Sequence, residues 1–479
     1  MKKKTVLCLA LSLALLCLPA CQEKNSPAPS QPAASQTGEA EPLRVLADFD
    51  FTERTFLSFD TSEALSSVTV DSTSKRGLER IIKEKSGFSV KFEFPPVCGN
   101  ERDVYLTNLR VEIMGGAGPD VFLCTAYPGL YLDYDNLVDN MVQPEYTMPV
   151  FPFPNKAMQN RVFLPLNERI ANARFMEFDK LTPTVMEAGQ YEGEQYLMPT
   201  GYTVSVICYP KSDFSFDCPK DMTWQEMGQA GPELAYVSTH LVSSLHCGYL
   251  FSPFLDYERD ELAFSEEELL GLVKDARKRI ESMDDQALPA RFSSWLGMGF
   301  SDQAEDKGYL DYWGLEDDTF DLDEGLTIVP VYSVDGGYQA TVTSFAAINA
   351  NTRQPDEAFF FLDYWLSEEC QSSAAYGYMN WQQAAPTMEG LMTSEKPCTY
   401  MEGIDGRGKA VFRHWRMTDA VYEDFCRVKE NISNARFATP VDGELSSLMG
   451  EVVHGEGNPD LEKLTHEAYM RMKMMVAES

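Results

Sequence analysis

The sequence has few basic residues and few histidines. Its 40 Lys and Arg stand against 74 Asp and Glu, which gives a formal net charge of −34 at pH 7, and it holds only five His. A surface that binds nucleic acid or anionic lipid needs clustered Lys and Arg, so this balance argues against both as partners. The His residues show no metal-ligand spacing. We predict neither a metal site nor a cofactor.

The sequence also lacks the short motifs of common enzymes. It contains no C-x-x-C, G-x-S-x-G, H-E-x-x-H or G-x-x-x-x-G-K-[ST] segment, which argues against thioredoxin-like, hydrolase, zinc-protease and P-loop sites. A carboxylate pair for glycoside hydrolysis stays open, because so many acidic residues make chance pairs unavoidable. We predict a protein that is not an enzyme, with a glycoside hydrolase as the less favoured alternative.

Long hydrophobic runs are confined to the N-terminus. Lysines at residues 2–4 precede an apolar run over residues 5–18, and the segment LPAC follows at 18–21. This order describes a secretory signal peptide over residues 1–20, and the Cys after a small residue resembles a bacterial lipobox, which implies that Cys21 is lipidated. Residues 21–42 then form a flexible tether rich in Ser, Pro and Ala. We predict an extracytoplasmic protein that a lipid anchors to the cell membrane.

The first part of the chain alternates between strand and helix patterns. Strands are predicted at residues 43–47, 89–94 and 120–123, and amphipathic helices at 73–85 and 103–114. This alternation predicts parallel strands joined by right-handed crossovers, and therefore an α/β fold. The segment 48–71 is long for a loop in such a unit and is interpreted as an insertion or a lid.

Later segments are equally regular. A strand-like run over residues 196–209 is interrupted by Pro199 and Gly201. A capping box at 223–226 begins a helix. Further helices are predicted at 355–371 and from about residue 458 to the end, and Trp224 and Trp365 are assigned to the core because their helices account for them.

Several of these segments, taken together and in order, resemble the extracellular solute-binding proteins of ABC transporters, specifically the sugar-binding type related to maltose-binding protein. Each motif alone is weak, and the series spans nearly all of the mature chain. The segments are GFSV at 87–90, GAGPDV at 116–121, LMP at 197–199, VICY at 206–209, TWQE at 223–226, residues 344–371 and ARFATP at 435–440.

The resemblance implies a type II periplasmic-binding-protein-like fold, in which crossing hinge strands join two α/β lobes. Lobe 1 would comprise residues 43–203 plus 344–386, and lobe 2 residues 204–343 plus 387–479. Crossings are suggested near 203–204, 340–343 and 385–387. A solute would bind between the lobes, at the carboxyl ends of the parallel strands, and the lobes would close around it.

The resemblance also implies a function, that of delivering a sugar or oligosaccharide to the permease subunits of an ABC importer. A surface lipoprotein that binds a peptide or polyamine, or one that acts as a sensor or adhesin, remains the alternative. A sugar cleft needs aromatic platforms and planar hydrogen-bonding groups. Side chains at predicted strand ends and crossings supply the candidates, namely Asp48, Asp50, Thr125, Tyr127, Gly201, Tyr202, Trp295, Tyr338, Trp381 and Gln382.

Overall fold

The computed structural model describes residues 41–48, 57–58, 69–70, 75–96, 99–126, 129–131, 145–211, 214–242, 247–282, 299–300, 326–367, 370, 398–404, 410–415, 419–455 and 457–479. The lipidation candidate Cys21 lies outside these residues. No helix in the part of the chain that is described has the length and apolar character needed to cross a membrane.

Strands and helices alternate through the described chain. The strands are β1 (Leu43–Ala47), β2 (Leu57–Ser58), β3 (Thr69–Val70), β4 (Val90–Glu93), β5 (Val121–Thr125), β6 (Gly129–Tyr131), β7 (Glu145–Thr147), β8 (Gln190–Tyr191), β9 (Glu194–Gln195), β10 (Leu197–Pro210), β11 (Leu255–Asp256), β12 (Glu261–Leu262), β13 (Gly299–Phe300), β14 (Leu326–Pro330), β15 (Gln339–Ile348), β16 (Cys398–Ile404), β17 (Ala410–Trp415) and β18 (Asn434–Phe437).

The helices fill the intervals between the strands. They are α1 (Lys75–Ser86), α2 (Gly99–Met114), α3 (Pro154–Gln159), α4 (Asn167–Ile170), α5 (Pro183–Glu187), α6 (Trp224–Met227), α7 (Pro232–Leu241), α8 (Glu266–Ser282), α9 (Pro355–Trp365), α10 (Asp419–Lys429), α11 (Pro440–His454) and α12 (Leu461–Ala477), with short 3-10 turns at Phe178–Lys180 and Cys247–Leu250.

A mixed sheet forms the centre of the fold. Its strands lie in the order β13-β10-β15-β5-β1-β4, with β14 also paired to β10 and β18 to β15. Strand β1 runs parallel to both β4 and β5, and α1 and α2 lie between these strands in the chain. The predicted α/β fold with parallel βαβ units is therefore confirmed.

Most predicted elements lie within a few residues of their observed positions. The capping box is present, because the Glu226 amide donates to Thr223 Oγ1 at 3.2 Å while the Thr223 amide donates to Glu226 Oε2 at 2.8 Å. Trp224 and Trp365 are buried as predicted. Helix α9 ends at Trp365, earlier than the pattern indicates, because the backbone at Leu366 leaves helical geometry.

Strands β10 and β15 change partners along their length. The carboxyl half of β15 pairs antiparallel with β5, from Ser344 to Ile348, whereas its amino half pairs in parallel with β18. Strand β10 pairs with β15 as far as Val204, and its residues from Val206 onward pair with β14. Two strands thus connect a first strand group, formed by β1, β4 and β5, to a second strand group, formed by β14 and β18.

Each group has its own packing partners. Phe92 of β4 contacts Phe361 of α9 at 6.0 Å between ring centroids, and Phe122 of β5 contacts Phe151 at 5.1 Å. On the other side of the crossing, α8, α11 and α12 pack against one another. Phe345 of β15 lies between these regions, 5.3 Å from the ring of Phe437.

Candidate functional site

Asp48 directly follows β1, at the edge of the sheet where the predicted site lies. Its carboxylate binds the Arg102 guanidinium through two contacts of 2.8 and 2.9 Å, and Thr125 Oγ1 lies 3.5 Å away. The side chains of Asp48 and Arg102 are only 2% and 5% exposed. Burial raises the pKa of the Asp48 carboxyl, against the opposing effect of Arg102. A solute that contacted this carboxylate would have to compete with the guanidinium.

Arg102 is the residue of this candidate site that the sequence reasoning missed. It lies in the first turns of α2 and also donates to the carbonyls of Pro96 at 3.0 Å and Met148 at 2.8 Å. It therefore connects the segments that follow β1, β4 and β7. The sequence carries a signal for it, because Arg102 falls four and seven residues before the buried Leu106 and Leu109, on the inward face of the helix.

The crossing point of β10 and β15 contains two of the predicted ligand residues. Gly201 and Tyr202 lie at an irregularity in the pairing, where the register shifts between Pro199 and Tyr202. A bulge of this kind redirects side chains and increases local twist. Tyr202 is fully buried, and the neighbouring Thr200 Oγ1 donates to Ser344 Oγ at 2.9 Å. Gly201 and Tyr202 are therefore part of the irregular pairing between the two strands.

Tyr338 precedes β15 and is only 4% exposed. Its hydroxyl donates to the carbonyl of Val428 at 2.7 Å, and its ring meets that of Tyr332 edge to face at 5.7 Å. Burial raises the phenol pKa of Tyr338. In this conformation Tyr338 fixes α10 against the second strand group, and almost none of its side chain is accessible to a solute.

The remaining predicted ligand residues lie outside the described residues. They are Asp50, Tyr127, Trp295, Trp381 and Gln382. The structure therefore brings Asp48 and Thr125 together at one edge and Gly201 and Tyr202 at the crossing, and it places Tyr338 beyond the crossing.

Two cavities of ligand size occur among the described residues, and none of the five predicted residues that the structure describes lines either one. The larger, about 1050 Å³, is a groove between α1, α4 and α9 that includes Lys85, Arg169 and Asp356. The smaller, about 520 Å³, lies between α3 and the β11–β12 hairpin. Its lining includes Gln159 and Tyr257.

Metal-ligating side chains and cysteine thiols are the remaining candidates for chemistry in the described chain. No group of three or more His, Cys, Asp or Glu there could hold a metal ion. Cys124 and Cys218 are free thiols. Burial raises the pKa of Cys124 well above its usual range and that of Cys218 to about 11, which makes both poor nucleophiles at neutral pH.

No protein-family model matches the chain, and no curated protein matches it. Solved structures do match it. An oligogalacturonide-binding protein of Yersinia enterocolitica is 13% identical, covers 91% of this chain and 99% of its own, and has a TM-score of 0.51. The sugar-binding protein MalE of Xanthomonas citri is also 13% identical, with coverages of 91% and 98% and a TM-score of 0.50.

A de novo designed esterase matches to the same degree, at 13% identity, coverages of 91% and 98% and a TM-score of 0.51. At such low identity the likeness concerns the fold and does not transfer an activity. The described chain has the α/β fold of the periplasmic solute-binding proteins, and at the level of the fold this confirms the resemblance that the sequence motifs carry.

Proposed function

We propose that the chain is an extracytoplasmic solute-binding protein that captures a small sugar or oligosaccharide and delivers it to the permease subunits of an ABC importer. Cys21 would carry the lipid that anchors it to the cell membrane. The observation that carries the proposal is the exchange of partners by β10 and β15, because two strands that connect separately packed groups can act as a hinge.

The positions of these exchanges support the proposed lobes. In β15 the pairing changes between Val342 and Ser344, next to the proposed boundary at 343/344. In β10 the pairing with β15 ends at Val204, next to the boundary at 203/204. The third proposed crossing, near 385–387, lies outside the described residues. Residues 43–203 plus 344–386 would form lobe 1, and 204–343 plus 387–479 lobe 2.

A sugar is the favoured solute because two of the matching structures bind sugars or oligosaccharides. The fold alone does not separate binding from catalysis, since a designed esterase shares it. We therefore test binding and turnover together. A thermal-shift screen of residues 22–479 would use mono- and oligosaccharides, amino acids, short peptides and polyamines, with each sugar checked for cleavage afterwards.

A ligand that binds only the folded state raises its apparent stability by RT ln(1 + [L]/Kd). The proposal predicts a saturable shift with one class of sugar and no cleavage. A shift with peptides or polyamines alone would overturn the sugar assignment while keeping the binding role, and a cleaved sugar would overturn the binding role.

Two tryptophans provide a matched pair for locating the ligand. Trp381 is a proposed ligand contact, whereas Trp365 is buried in α9 and stacks on Phe361 at 5.8 Å. Trp381→Ala is expected to weaken sugar affinity with little loss of stability. Trp365→Ala is expected to lower stability, by about 3–5 kcal/mol for a buried Trp, and to leave the affinity of the folded protein unchanged. Unaltered affinity in Trp381→Ala would remove it from the site.

A further inference from the structure

A small polar contact joins two parts of the fold that are distant in sequence. Lys156 Nζ and Gln159 Nε2, both on α3, donate to the same carbonyl oxygen, that of Tyr257, at 3.0 and 3.1 Å. Lys156 also forms an ion pair with Asp260. We call these four residues the latch. Tyr257 and Asp260 lie on the β11–β12 hairpin, about 100 residues further along the chain.

The α3 side of the latch is attached to the first strand group. Met158 of α3 is buried, and the chain that follows the helix returns to the sheet, where the Leu164 amide donates to the carbonyl of Ile348 at 2.8 Å. Phe163 packs on Phe122 of β5 at 6.0 Å. Helix α3 should therefore move with β5 and the carboxyl half of β15.

The hairpin side is attached to the second strand group. The hairpin is flanked by Phe251, Phe254 and Phe264, whose rings stack at 4.0 and 5.7 Å. The Arg436 guanidinium, on β18, covers the Phe254 ring at 4.5 Å. Tyr469 of α12 donates to the carbonyl of Phe264 at 3.2 Å. The hairpin should therefore move with β18 and α12.

The junction between the two sides is not packed like a core. The cavity of about 520 Å³ lies between α3 and the hairpin, and charged or amide side chains such as Asn155, Asp256 and Glu258 line much of it. An apolar core excludes cavities of this size and resists opening. A junction held by a few polar contacts beside a cavity can separate and re-form at low cost.

We propose that the latch holds the two lobes in the arrangement of this structure, and that hinge motion about β10 and β15 must break it. The inference rests on the proposed function, since only a hinged binder has two arrangements to balance. A contact made in one arrangement and absent from the other shifts the population between them, and so changes the apparent affinity for the solute.

The test is small-angle X-ray scattering of residues 22–479 without any solute, which measures the radius of gyration directly. The variant Lys156→Met/Gln159→Leu removes the donors of the latch. The matched control is Lys274→Met, which removes an exposed ion pair with Glu462 at 2.7 Å that lies wholly within the second group. Circular dichroism confirms that each variant is folded. Should the double variant not fold, Gln159→Leu alone takes its place.

The proposal predicts that the latch variant changes the radius of gyration of the solute-free protein and that Lys274→Met does not. A latch variant that scatters like Lys274→Met would overturn it. In a second measurement, the affinity for the sugar identified by the thermal-shift screen should change about fivefold or more in the latch variant, and unchanged affinity would contradict the coupling. If no sugar binds, the proposed function is wrong. The radius of gyration still shows whether the latch holds the arrangement of this structure.

Discussion

At the scale of single residues, the Asp48–Arg102 ion pair is the main polar contact described at the carboxyl edge of the sheet. The sequence places Asp48 at the end of a strand, and the structure confirms that position, but the carboxylate is already bound by Arg102. The identity of that partner depends on how α2 packs over the sheet, 54 residues further along the chain. Strand periodicity predicts where a side chain lies, and it does not specify its tertiary neighbour.

The Asp48–Arg102 pair gives a stability prediction. Arg102→Leu should lower the free energy of unfolding by about 3–5 kcal/mol, because it leaves a buried carboxylate without its counter-charge. The double variant Arg102→Leu/Asp48→Asn should lose less than Arg102→Leu alone, since the unpaired charge is gone. Urea denaturation of the wild type and the two variants measures both losses. A double variant less stable than Arg102→Leu would show that the pair does not behave as a buried ion pair.

A second residue-scale prediction concerns acid. Glu93 receives two hydrogen bonds from Arg44, at 2.8 and 3.0 Å. Burial raises the pKa of Glu93, but the Arg44 guanidinium and the Lys91 ammonium together outweigh it and the net pKa is lowered. A carboxyl with a lowered pKa contributes stability above its unfolded pKa of about 4.3, and that contribution disappears as the pH falls through the folded value.

Glu93→Gln should therefore lower the unfolding free energy at pH 7 by about 1 kcal/mol, and the difference from wild type should shrink as the pH falls below about 4.3. Glu84→Gln serves as control, because it removes only the exposed Arg80–Glu84 pair. Urea denaturation between pH 7 and 3 provides the comparison. A constant gap between Glu93→Gln and wild type over that range would contradict the assignment.

At the scale of elements, the sequence specifies strands and helices better than it specifies their pairing. The run at 196–209 is close to the observed β10, and its Pro199 and Gly201 mark the irregular register with β15. Nothing in that run shows that β10 changes from β15 to β14 past Val204. Partner exchange arises from contacts between segments more than 100 residues apart, which local patterns do not contain.

Two glycines differ in how closely other atoms approach them. A Cβ on Gly189 would lie 2.0 Å from the carbonyl oxygen of Leu197, at the start of β10, whereas a Cβ on Gly271 in α8 meets nothing within 4 Å. Gly189→Ala should cost about 1–3 kcal/mol or more through overpacking against backbone. Gly271→Ala should gain up to about 1 kcal/mol of helix propensity. Thermal or urea unfolding that ranked the two variants in the opposite order would contradict the packing described here.

At the scale of the whole molecule, the α/β fold could be predicted because several short motifs follow one another in the order typical of solute-binding proteins. The ligand contacts stay predictions. Of the candidates that the structure describes, Tyr202 and Tyr338 are core residues in this arrangement, because an aromatic near a strand crossing can face either a cleft or the interior. Periodicity does not distinguish these two environments.

We propose that the folded chain binds a sugar reversibly and leaves it intact. Titration calorimetry of residues 22–479 with the sugars of the panel, followed by chromatography of the recovered sugar, tests both parts of this proposal. We expect a saturable heat with a stoichiometry near one for one sugar class, and full recovery of that sugar unchanged. No saturable heat with any sugar, or recovery of a cleaved product, would contradict it.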